Sequence, residues 1–148
     1  MPAAAPPSRR GRPQHVSPPP VIRHITLDST DPYALAEFWS AFTGFAIEAD
    51  VGPDEDEVLL EPPIPGHPGL LFIRVPEAKS VKNRLRFDVV PTAHTRDEEV
   101  ARLLGLGATV ADDRRSPDGR GWVVMADPQG NEFCVERSEA ECGQAATP

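Results

Sequence analysis

The chain has 148 residues and a formal net charge of −8; three arginines and no acid in residues 1–20 leave −11 on the remainder. A body this acidic is a poor nucleic-acid binder, and no apolar run approaches the ~20 residues of a membrane span. Cys134 and Cys142 make no disulfide framework, and the N-terminus lacks the apolar stretch of a secretory signal, so the cytoplasm is the expected compartment.

Seven of the 18 prolines fall in residues 1–20, which read as a disordered Pro/Arg-rich arm. Order begins at "VIRHITLDS", where His24, Thr26 and Asp28 alternate with Ile25 and Leu27 as on a strand with one polar face. "DPYALAEFWSAFTG" follows. Asp31 is a good N-cap, Leu35, Phe38, Trp39 and Phe42 make a helical apolar stripe, and Gly44 suits the stop. "FAIEADV" reads as a strand, 57–61 as a short edge strand among acidic, proline-rich loops, and "LLFIRV" as another strand.

The order then recurs. "NRLRFDVVP" predicts a strand in which Leu85, Phe87 and Val89 alternate with Arg86 and Asp88. "TRDEEVARLLGLG" predicts a helix opened by a Thr95–Glu98 capping box and closed by Gly107. Strands "ATVADD", "GWVVMA" and "EFCVER" follow, with turns at "RRSPDGRG" and "DPQGN", and residues 138–148 read as a flexible tail. Laid over each other, the halves align His24 with Arg86 at an offset of 62, Gly44 with Gly107 at 63, and Ile73 with Cys134 at 61. The fold expected is α+β: two βαβββ modules, about 21–76 and 83–137, sharing a core. Their strands form a curved mixed sheet, a cup, with the helices on its outer face.

Two such modules, with "HITLDSTDPYALAEFW", "KNRLRFDVV", "LLGLGATV" and "DPQGNEFCV" in that order, resemble the vicinal oxygen chelate superfamily, in its glyoxalase-like, bleomycin-resistance-like branch. The resemblance covers about residues 21–137. Metal-binding relatives draw ligands from the first and last strand of each module. The corresponding residues here are His24, Ile73, Arg86 and Cys134, and a one-residue slip would replace Ile73 by Phe72 or Arg74. Ile73 cannot coordinate, and Arg86 is a permanent cation without a lone pair. His24 and Cys134 together fall short of the three protein ligands a zinc site needs. His24 otherwise reads as a polar cup-lining side chain, and Cys134 as a packing residue.

Alternation places His24, Thr26, Asp28, Leu71, Ile73, Arg86, Asp88, Glu132 and Cys134 on the cup face. Trp122 either packs on the core or stacks on a ligand at the rim. No catalytic constellation is readable. The expected function is binding of a small organic molecule, anionic where it meets Arg86, without metal or other cofactor, in sequestration or resistance. One alternative is a lyase, isomerase or dioxygenase using a divalent metal through His24. Another is a structural or regulatory dimer with a vestigial cup. An ion pair of Arg86 with Asp88 or Glu132 competes with any anion-binding role. The resemblance also implies a homodimer; no nucleic-acid or membrane partner is expected.

Overall fold

The structure is a computed structural model and describes residues 18–144; residues 1–17 of the predicted arm lie outside them. The elements are β1 (His24–Ser29), α1 (Pro32–Thr43), β2 (Ala46–Ile47), β3 (Glu57–Glu61), β4 (Gly69–Arg74), β5 (Asp88–Val89), α2 (Arg96–Leu106), β6 (Thr109–Asp113), β7 (Val123–Ala126), β8 (Glu132–Val135) and α3 (Glu139–Gln144). The local signals act as read. The Asp31 carboxylate accepts from the Ala34 N–H at 3.1 Å, and Gly44 ends α1 in the left-handed region. Thr95 and Glu98 close a reciprocal capping box at the start of α2.

The strands form two four-stranded mixed sheets, ordered β1-β4-β3-β2 and β5-β8-β7-β6. β1 runs parallel to β4 and β5 parallel to β8; the other pairs are antiparallel. This is the predicted pair of βαβββ modules, an open arrangement in which β1 and β5 are end strands of separate sheets. No described helix is long and apolar enough to cross a membrane.

One core serves both modules. The α1 stripe of Leu35, Phe38, Trp39 and Phe42 buries against Val58, Leu60, Leu70 and Phe72 of its own sheet. It also reaches the second module: the Phe133 ring centroid lies 5.2 Å from that of Trp39 and 5.3 Å from that of Phe42. The Trp39 indole donates from Nε1 to the buried Asp127 carboxylate at 3.0 Å, and Asp127 also holds the "DPQGN" turn through the N–H groups of Gln129 and Asn131. A buried charge satisfied by several donors is stable where a lone one is not.

Three features differ from the sequence reading. The fifth strand shrinks to Asp88–Val89, and Leu85, expected in the apolar row, is 68% exposed. Residues 139–144, read as tail, form α3, because the Glu141 carboxylate accepts from the N–H groups of Arg96 (2.8 Å) and Ser138 (2.7 Å). The repeat register is also two residues off. Asp28 lies opposite Ile73 as Asp88 lies opposite Cys134, so Arg86 corresponds to Thr26 and not to His24. A single residue, Thr30, separates β1 from its helix cap, whereas residues 90–94 separate β5 from Thr95. A uniform overlay of the halves conceals that insertion. The slip is even, so each side chain keeps its face.

Candidate functional site

The two end strands flank a cleft between the modules. A cavity of about 350 Å³ opens there, lined by Ile25–Ser29 of β1, by the inter-module segment at Glu77–Lys79, and by Asn83, Leu85, Phe87, Gln129, Asn131 and Glu132 of the second module. Trp39 contributes to its floor. The Phe87 ring stands edge-on to Trp39, with centroids 5.7 Å apart. The volume is at the small end of the roughly 300–1,000 Å³ range of small-molecule sites.

The cavity brings together Thr26 and Glu132 of the predicted site residues, and Asp28 with them. Glu132 is ion-paired to Lys82 at 2.7 Å, and its backbone N–H donates to the Asn83 side-chain oxygen at 3.2 Å. The Lys82 bond holds the Glu132 carboxyl below the usual range against the opposing effect of burial, and the charges of Lys82, Lys79 and Arg86 add to it.

Arg86, Asp88 and Cys134 form a second group on the face away from the helices. Cys134 is buried, and that burial pushes its thiol up; Asp88 adds in the same direction and the Arg86 cation opposes both. Such a thiol is protonated and unreactive near neutral pH. Arg86 is exposed, and among the described residues its guanidinium makes no ion pair. The competing ion pair with Asp88 or Glu132 does not form among the described residues, and Lys82 takes Glu132.

His24 and Ile73 lie apart from each other. His24 sits opposite Gly69, which carries no side chain to displace its ring, and Ile73 lies opposite Asp28. Four residues of strand separate the two levels, about 13 Å. Trp122 is 46% exposed just ahead of β7, on the side shared by Val124 and Cys134, and does not line the cavity.

The four positions implied by the resemblance do not fit a metal: one is aliphatic, one is a guanidinium, and His24 lies a distant step along β1. Among the described residues no group of three or more His, Cys, Asp or Glu is placed to share an ion. The cavity residues that sequence reasoning missed include Asn83, Leu85, Phe87, Gln129, Asn131 and the segment 77–79. Their signal is present in part, because "DPQGN" reads as a turn, but nothing local shows that the turn and the linker meet β1.

Two βαβββ modules with end strands facing a central cleft define a vicinal-oxygen-chelate protein. Residues 24–136 match the Glyoxalase-like domain profile, and the chain belongs to that family. Among solved structures it resembles a glyoxalase/bleomycin resistance protein/dioxygenase family enzyme from Burkholderia phytofirmans PsJN, at 20% identity over 78% of this chain and 97% of that one, with a TM-score of 0.59. A possible glyoxalase from Bacillus cereus is 18% identical over 78% and 96%, with a TM-score of 0.56. A lactoylglutathione lyase from Agrobacterium tumefaciens is 22% identical over 80% and 93%, with a TM-score of 0.53. At these identities the likeness is one of fold. No curated protein matches the chain in sequence.

Proposed function

We propose that this glyoxalase-like protein binds a small organic molecule in the cleft between its modules and does so without a resident metal. The observation that carries the reading is the cavity at the seam, with apolar walls from Leu85 and Phe87 and a few polar groups. Arg86 follows Leu85 in the chain but lies outside the cavity lining, on the opposite face with Asp88 and Cys134; it is close enough to Glu132 to lower its pKa, and is held by no described acid. A guanidinium so placed offers a forked donor to a carboxylate or phosphate and repels a divalent cation. Sequestration or resistance is the role that suits such binding. The homodimer expected of the family belongs to the same proposal.

The experiment is elemental analysis of the purified protein together with a thermal-shift screen of small organic acids and neutral metabolites. The reading expects no stoichiometric metal and a saturable rise in Tm, near 2.7 kcal/mol of added stability for a ligand at about 100 times its Kd. One zinc, nickel, iron or manganese per chain, lost in His24→Ala, would overturn it in favour of a metal-dependent lyase, isomerase or dioxygenase.

A further inference from the structure

Five successive residues of β1, Ile25 to Ser29, line the cavity. Side chains of a strand alternate between faces, so consecutive residues reach one cavity only where it meets the strand's backbone edge. The edge concerned is the one away from β4. The carbonyls of Arg23 and Ser29 accept from the N–H groups of Gly69 and Val75, both at 2.9 Å, which turns the odd-numbered residues of β1 toward β4. The backbone groups of Thr26 and Asp28 therefore point into the cleft, and no described residue bonds to them. No described strand pairs with that edge: β1 and β5 end separate sheets, and the Phe87 and Val89 carbonyls accept from Cys134 and Glu136 within β5's own sheet, at 2.8 and 2.9 Å.

We infer that the free edge of β1 is the recognition element and that the ligand is a short linear peptide, added to β1 as an extra strand. This rests on the small-molecule reading of the cleft and names the ligand's class. An exposed edge pairs with any chain that offers N–H and C=O groups at strand spacing. The outward groups of Thr26 and Asp28 repeat over about 7 Å, two residues of strand rise, which matches a tripeptide and suits the small cavity. Leu85 and Phe87 line the same cavity and offer apolar surface to side chains; of the amides there, Asn83 is already bonded to the Leu85 carbonyl and the Glu132 N–H, and Gln129 accepts from Thr30.

The test is a titration of the ¹⁵N-labelled full chain with three probes: acetyl-Ala-Val-Ala-amide, the same peptide N-methylated at its backbone amides, and phenylacetate. The expected result is saturable movement of the Thr26 and Asp28 amide resonances with the first peptide, and affinity about tenfold weaker for the N-methylated one, which lacks the donors. Equal binding of both peptides, or movement that spares Thr26 and Asp28, would overturn the edge pairing. If phenylacetate moves cleft resonances while neither peptide does, the peptide inference fails and the small-molecule reading survives. If no probe moves a cleft resonance, both fail.

Discussion

At the scale of one residue, the proposed affinity for an anion rests on Arg86. Its charge is permanent, and Lys82 has already neutralised Glu132. Replacing Arg86 by Ala should weaken a carboxylate ligand by roughly 1.5–3 kcal/mol, the range for hydrogen bonds to charged groups. Folding should be unaffected, because no described acid loses a partner. Calorimetric titration with the best acid from the thermal-shift screen, and a melting curve of the variant, check both halves. Unchanged affinity would remove Arg86 from the site. Cys134 shows the opposite lesson: the resemblance implies a ligand position for it, but burial beside Asp88 keeps the thiol protonated and inert.

Helices and turns are held by a few charged contacts that join distant elements. The Trp39 indole bond to Asp127 fastens α1 to the β7–β8 turn. Trp39→Phe keeps most of the packing and removes that donor, so the urea midpoint should fall by the equivalent of about 1.5–3 kcal/mol. A midpoint unchanged within error would mean that the latch is packing alone. Glu141 fastens α3 in a similar way. Burial works against its ionised form, but the N–H groups of Ser138 and Arg96 outweigh that and hold the carboxyl below its ordinary range. A depressed carboxyl contributes stability that is present above its unfolded pKa and lost as pH falls through the folded one. Protection factors of the α3 amides, which take out the intrinsic slowing of exchange in acid, should therefore fall on acidification from about pH 5 to 3. In Glu141→Gln they should be lower at neutral pH, by the equivalent of about 1 kcal/mol, and flat across that window. A pH response surviving in the variant would assign the effect to another group.

For the whole molecule, the open question is what covers the second sheet. All five residues of β6 are exposed, and Val110 and Trp122 stand out at 42% and 46%. An end strand left this bare is managed by pairing or covering it. We expect a homodimer, and light scattering at micromolar concentration should give a mass about twice that of the 16.1 kDa chain. A single species at the chain mass would refute it. The net charge of −8 makes association weakest at low salt, where repulsion between copies is least screened.

The architecture was legible in the sequence wherever a signal is local. The Asp31 and Thr95 caps, the left-handed Gly44 and Gly107, the α1 stripe and the strand at 57–61 depend on neighbours within a few residues, and all stand where the sequence puts them. Alternation likewise set the faces of β1 and β3, because a side-chain period of two survives an even slip. Tertiary structure alone decided the rest. The register of β1 against β5 depended on an uneven insertion after β5, which aligned His24 with Arg86 in the sequence and Thr26 with Arg86 in space. Lys82 prevailed over Arg86 as the partner of Glu132 through a contact 50 residues apart in the chain. The cavity joins β1, the inter-module segment and the "DPQGN" turn, whose encounter no local pattern encodes. Propensity, capping and alternation act over one or two turns of chain, whereas a site is made by residues that only the closed core brings together.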